Sequence, residues 1–414
     1  MIPKPKILIS VYCIKDIGGI STSISNLLNE IHDIFDVSLI VPCNFISKNR
    51  VIPDNVRILK GSNIMRDIVI DRKFLANQNF FEKALRNTRR FINRRFFKGK
   101  MAYHALSRIK VPGSYDVAIA FADESFTKEG RLERDFDYKL ILNNVKAKRK
   151  IAWIHNDPNK QFWTKERCLK ELTPFDAVVN VSQECKPIFD DIIPEFEYKS
   201  KVVYNTYNIT AIKAKSQLGE IVYPENGKIH FITVGRVVCG QKAMNRIVKV
   251  CKLLRDDGFD SFDWTIVGEG PDKTMLEQKT IEYKLTDIIR FVGLKPNPYP
   301  YMKQADAFVL VSRFEGFGMT IKEAQILGTP TLITNFGAAP EVVKDGLHGS
   351  ICENSTQGVY SMIKDILQKP EQLENYRQYL QENPVNNELA LSQLCEVCGF
   401  VKATNNSVIN GSDS

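Results

Sequence analysis

Residues 307–330 constrain this chain more than any other stretch. A short apolar run, Ala307-Phe-Val-Leu-Val311, reads as a buried parallel strand. Met319, Ala324 and Leu327 then recur at helical spacing until Gly328-Thr329-Pro330 stops the helix. Strand, turn and helix in that order predict an open α/β sheet, whose ligands sit at the carboxyl ends of the strands. The turn is Glu315-Gly316-Phe317-Gly318-Met319-Thr320. Gly316 and Gly318 let backbone come close to a ligand, and the new helix offers unpaired N–H groups to a phosphate. Glu315 stands at the strand's end and Glu323 about one turn into the helix, so both can face one crevice. A phosphate cradle between two hydroxyl-binding acids fits a nucleotide sugar.

Two glutamates with seven residues between them, around Gly-Phe-Gly and before Gly-Thr-Pro, resemble the signature of the retaining GT-B glycosyltransferases of family 4, the glycosyl transferases group 1. The resemblance is densest over 230–350 and thinner over 1–206. It implies an α/β GT-B fold: two Rossmann-like domains facing across a cleft, with a C-terminal helix crossing back to the first.

Composition agrees with a globular protein of this size. The chain has 414 residues, enough for two or three domains, and 43% of them are apolar. No apolar run approaches the roughly 18 residues a membrane span needs. Residues 1–6 lead straight into a strand rather than a secretory signal, which places the protein in the cytoplasm, with the inner face of the plasma membrane as an additional location. Nine cysteines without framework spacing read as reduced thiols. A net charge of +9 points to an anionic partner.

Along residues 1–206, a strand over 6–12 leads through Gly18-Gly19 into a helix with Ile20, Ile24, Leu27, Leu28 and Ile31 in register. No G-x-G-x-x-G is present, which argues against NAD. By the resemblance Gly18 and Gly19 line the acceptor side; read alone, they make a tight turn. Ser21 and Thr22 stand where the family often has a basic residue. Residues 81–110 carry ten Lys or Arg against one acid, Glu82. As a helix, Phe81, Leu85, Ile92 and Phe96 form one stripe, either packed on the core beneath a solvated basic face or laid on an anionic membrane. No nucleic-acid-binding pattern accompanies the charge, so no nucleic-acid partner is expected. Asp135-Phe136-Asp137 is taken as surface. A strand over 150–154 ends in His155-Asn156. By the resemblance His155 hydrogen-bonds the sugar or positions the acceptor and Asn156 adjoins the acceptor; a histidine satisfied by backbone is the alternative. Asn205 is placed at the cleft edge or as a turn cap.

Residues 207–227 read as a linker, 228–385 as the nucleotide-sugar-binding domain, 386–402 as the crossover helix and 403–414 as a disordered tail. After a strand over 229–234 come Gly235-Arg236 and, six residues on, Lys242. In the family an arginine and a lysine so spaced clamp the pyrophosphate, and two cations there offset charge on the leaving diphosphate. Gly268-Glu269-Gly270-Pro271 resembles the family's G-x-G-P turn, and the loop at Leu294 is expected to reach the base. Phe317, Gly318, Met319 and Thr320 complete the donor cradle, with Glu323 on ribose and Glu315 on the donor sugar. Neither metal nor cofactor is expected. Cys395-x-x-Cys398 reads as packing rather than zinc ligation. The function expected is transfer of a sugar, with UDP-sugar the first donor considered, to a glycan or lipid-linked acceptor. A sugar-nucleotide epimerase, a phosphorylase and a non-catalytic basic binding protein are the alternatives.

Overall fold

A computed structural model describes residues 3–410, apart from 17, 72–74, 76–78, 99, 123–124, 127–131, 220–222, 224–225 and 404–406. The chain divides into two compact units, Met1–Tyr207 with Asn387–Ser414, and Asn208–Asn386.

Unit 1 is built on β1 (Lys6–Ser10), β2 (Asp36–Ile40), β3 (Arg57–Leu59), β4 (Tyr115–Ala120), β7 (Ala147–Ile154), β8 (Ala177–Asn180) and β9 (Ser200–Val202); β5 (Ser125–Phe126) and β6 (Leu132–Arg134) form a separate antiparallel pair. The main sheet is parallel throughout, in the order β3-β2-β1-β4-β7-β8-β9. Strands such as Val-Ala-Ile-Ala in β4 are apolar at consecutive positions because helices cover both faces of a parallel sheet. Strand order reverses between β1 and β4, which makes their carboxyl ends the ligand-binding end of this unit.

Unit 2 repeats the plan with β10 (Ile229–Val234), β11 (Phe262–Val267), β12 (Ile289–Gly293), β13 (Ala307–Leu310), β14 (Thr331–Thr334) and β15 (Gly349–Cys352). Its order is β12-β11-β10-β13-β14-β15, again all parallel, and it reverses between β10 and β13. Trp264, Phe231, Phe262 and Ile247 pack the sheet against the helix Asn245–Asp256 in one continuous core. The helix Glu388–Cys398 returns the chain to unit 1, where Arg149 Nε donates to the Val397 carbonyl at 2.8 Å. Beyond it, β16 (Phe400–Ala403) pairs antiparallel with β17 (Ser407–Asn410).

Several expectations are corrected here. The stretch read as a linker contains the helix Ile209–Ser216, packed within unit 2 through Asn297 Nδ2 to the Lys215 carbonyl at 2.8 Å; residues 220–222 and 224–225 lie outside the described residues. Part of the tail expected to be disordered is β17. Asp135-Phe136-Asp137 is not surface. All three are buried, and Asp137 accepts from the Ser10 hydroxyl and, at 2.9 Å, from the Tyr12 N–H, closing the end of β1. The basic helix does form, over Phe80–Arg95, opened by a reciprocal cap between Asn79 and Glu82. Its orientation is the reverse of a core-facing stripe: Arg86 and Asn93 are buried, while Phe81 and Phe96 are 82% and 68% exposed.

Candidate functional site

The reversal between β10 and β13 fixes where unit 2 can hold a ligand, and the expected residues gather there. The loop after β10 carries Arg236 and Lys242; the loop after β13 carries Glu315. They are stitched together by backbone. Arg313 N–H donates to the Gln241 carbonyl at 2.8 Å, and Arg313 Nε to the Gly240 carbonyl at 3.1 Å. Across this seam Lys242 Nζ meets Glu315 Oε1 at 2.6 Å, with side chains 16% and 8% exposed. Ser312 Oγ donates to the same carboxylate oxygen at 2.5 Å. Arg236 is exposed, its Nη2 donating to Gln241 Oε1 at 3.3 Å, beside the Lys242 backbone.

The helix Met319–Ile326 follows at once. Gly318 caps it in the left-handed region, φ 72°, where a Cβ would lie 2.8 Å from Ile321 Cδ1. No side chain caps the helix, so its leading N–H groups keep their polarity at this end of the sheet. Met319 and Thr320 are half-buried there, whereas Phe317 is buried. Glu323 is buried one turn on, and Tyr299 donates its hydroxyl to Glu323 Oε1 at 3.4 Å.

Three loops are laced behind the cradle. Gly235 N–H donates to the Val267 carbonyl at 3.0 Å, Val237 N–H to Glu269 at 3.0 Å, and Gly268 N–H to Gly293 at 2.9 Å. Gly268 (φ 155°) lies so close to Gly235 that a Cβ would fall 1.8 Å from its carbonyl oxygen. Gly268 therefore supports the loop of Gly235 and Arg236. Leu294, beyond β12, is 47% exposed.

The sequence alone did not single out Tyr299, Ser312, Gln241 or Arg246. Arg246 is buried and donates from Nη1 to the Val311 carbonyl at 3.0 Å and to Asn354 Oδ1 at 2.7 Å, so it fixes the chain leaving β13. Its apolar neighbours at Ile247, Val248 and Val250 were a helical signal, but its partners lie 65 and 108 residues away and leave no local mark. Beside Glu323, burial and then the Lys344 charge push Lys322 down to about 8. Burial first, then Lys322 and Lys344, push His348 down to about 4 from 6.5. The unfolded chain thus binds the His348 proton more readily than the native one, so stability is full above pH 6.5 and is lost as pH falls toward 4. Urea unfolding should register a loss on the order of 3 kcal/mol across that window from this group. His348→Gln should flatten the slope; an unchanged slope would remove His348 as its source.

In unit 1, Gly18 (φ 140°) precedes the helix Gly19–Ile31, and an added Cβ at either Gly18 or Gly19 would meet nothing within 4 Å. His155 is half-buried after β7. Its Nε2–H donates to the Phe121 carbonyl at 2.6 Å, and its ring lies edge-on to Phe121 at 4.7 Å. One ring nitrogen is thus engaged by backbone beyond β4, while Asn156 is exposed. Asn205 is buried and accepts from the Ser23 hydroxyl.

Residues 220–383 match the family described as Glycosyl transferases group 1. That match spans most of unit 2. Among curated proteins, N-acetyl-alpha-D-glucosaminyl L-malate synthase of Bacillus anthracis is 25% identical over 201 residues, 47% of this chain and 49% of that one. The chain spans about half the length of the first curated relatives it matches. Among solved structures, the lipopolysaccharide outer core galactosyltransferase WaaB superposes with TM-score 0.60 at 17% identity, over 95% of this chain and 98% of that one. Anabaena HepE in complex with UDP-glucose superposes with TM-score 0.61 at 14% identity, again over 95% and 98%. Together with the two parallel sheets, these give the chain the GT-B fold. The Lys242–Glu315 pair lies within the matched residues.

Proposed function

We propose that the chain is a retaining glycosyltransferase, of family 4, that moves a hexosyl unit from a UDP-sugar to a glycan or lipid-linked acceptor in the cytoplasm. The observation that carries this is the Lys242–Glu315 pair beside the uncapped helix tip of Gly318, in a glycosyl transferases group 1 domain. Donor binding brings a diphosphate to Lys242, Arg236 and the N–H groups of Met319 and Thr320. Lys242 then divides its charge between Glu315 and phosphate. Glu315, already accepting from Ser312, has a second carboxylate oxygen for a sugar hydroxyl. Glu323, oriented by Tyr299, holds the ribose, and Leu294 lies toward the base. As the glycosidic bond breaks, negative charge grows on the diphosphate and the two cations stabilise it, so the chemistry needs no metal. The leaving phosphate takes the acceptor's proton on the same face of the sugar. Acceptor binding is assigned to unit 1, at Gly18, Gly19, His155 and Asn156. The UDP donor draws support from HepE with UDP-glucose, and the glycan or lipid-linked acceptor from the lipopolysaccharide galactosyltransferase WaaB.

Thermal shift with UDP, GDP and ADP is the first test. One nucleotide should raise stability by about 2.7 kcal/mol at a hundred times its dissociation constant. A panel of nucleotide sugars should then release free nucleotide only with acceptor present. No shift with any nucleotide, or sugar conversion without acceptor, would sink the transferase reading.

A further inference from the structure

The helix Phe80–Arg95 is turned inside out relative to a surface helix that covers a core. Its inward side is polar. Asp67, 1% exposed on the helix Asn63–Val69, receives Arg89 and Arg66, and Arg90 donates to the Asp67 and Ile70 carbonyls at 2.7 and 2.6 Å. Those bonds fix the helix's rotation about its own axis. What faces water is Phe80, Phe81, Leu85, Phe91 and Phe96, between 48% and 82% exposed. At about 100° per residue these five fall within roughly half the circumference. Such a patch of aromatic surface is costly to leave in water.

Cations frame the patch. Lys83, Arg94, Arg95 and Lys98 are all exposed, and the Arg95 guanidinium lies 5.8 Å from the Phe96 ring centre. Ten basic residues against one acid over 81–110 leave the whole region positive.

We propose that this outward aromatic face, with its frame of cations, docks the protein on an anionic lipid bilayer. Benzyl side chains enter the boundary between headgroups and acyl chains, while the cations pair with headgroup phosphates. Charge decides against a second copy of the chain: a symmetric pair through this face would bring Lys83, Arg94 and Arg95 against their own equivalents. The rigid inward side decides against a helix that rolls over to bury its phenylalanines. Because the face rests on unit 1 alone, the inference does not depend on the transferase reading.

Flotation of the full-length chain with vesicles tests it without donor or acceptor, so its failure leaves the transfer chemistry untouched. Vesicles of phosphatidylcholine with phosphatidylglycerol should bind the protein; phosphatidylcholine alone should not, and high salt should weaken binding. Phe81→Ser with Phe91→Ser, both exposed and so not expected to disturb folding, should reduce binding by about tenfold or more. Arg94→Gln with Lys83→Gln should reduce it too and shrink its salt dependence. Equal binding by the serine variant, equal binding to neutral vesicles, or no binding to either overturns the proposal. So would self-association or RNA binding that the serine variant abolishes in a protein that ignores vesicles.

Discussion

Lys242→Ala should lower the transfer rate by two to three orders of magnitude at saturating donor, about 3–4 kcal/mol in the barrier. The substitution does two things at once. It removes a cation from the place where diphosphate charge grows, and it strips the 8%-exposed Glu315 of its ion partner. A bare carboxylate there repels the same diphosphate, so the loss exceeds that of one missing donor. Glu315→Gln, which keeps the hydrogen bond from Ser312 available, separates the two effects. In the double variant the rate should recover part of what Lys242→Ala lost, because the repulsion is gone; two fully additive losses would mean that the pair does not act as one. Arg236→Ala should cost little folding stability, since the side chain is exposed and its bond to Gln241 is long at 3.3 Å, yet should weaken donor binding. A Lys242→Ala rate within threefold of wild type would remove the central cation from the mechanism.

That pair shows where sequence reading succeeds and where it stops. The strand before Glu315 and the helix after it were legible because apolar residues run unbroken in one and recur with helical spacing in the other. Parallel strands buried on both faces leave that trace wherever they occur, and β1, β4, β8, β10 and β11 left it too. That Lys242 touches Glu315 is not local information. The two are 73 residues apart and meet only because β13 lies beside β10 in the sheet; family resemblance put both in one site, on phosphate and on sugar, but did not foresee their contact. The helix Phe80–Arg95 shows the complementary limit, since its sequence left a core-packed and an outward-facing stripe both open. Its period was legible, but which side faces inward was set by Asp67, a carboxylate on another helix that gives the arginines a buried partner. Hydrophobicity alone points the phenylalanines inward. Asp135 and Asp137 misled in the same manner: charged residues look solvated until Ser10 and the Tyr12 amide arrive from β1 to satisfy one of them.

Gly268→Ala should destabilise unit 2 by about 2–4 kcal/mol and weaken nucleotide binding with it. The new methyl would fall 1.8 Å from the Gly235 carbonyl oxygen and 3.0 Å from its carbon, both backbone atoms with no rotamer to move aside. The backbone itself, at φ 155°, is a conformation that a side chain disfavours. Nor can the turn retreat freely, because Gly268 N–H is bonded to the Gly293 carbonyl on its other side at 2.9 Å. The clash must therefore move the loop of Gly235 and Arg236, which draws one of the two proposed diphosphate cations away from the helix tip. Gly240 supplies the control within the same cation-bearing loop: a Cβ there meets nothing within 4 Å. Gly240→Ala should stay within roughly 0.5 kcal/mol of wild type in urea unfolding and keep its nucleotide thermal shift. If both alanines behave alike, the close approach of these turns is not what holds the cation in place. If Gly268→Ala loses stability but keeps full nucleotide affinity, Arg236 binds from a loop that tolerates displacement, and the diphosphate rests chiefly on Lys242 and the helix tip.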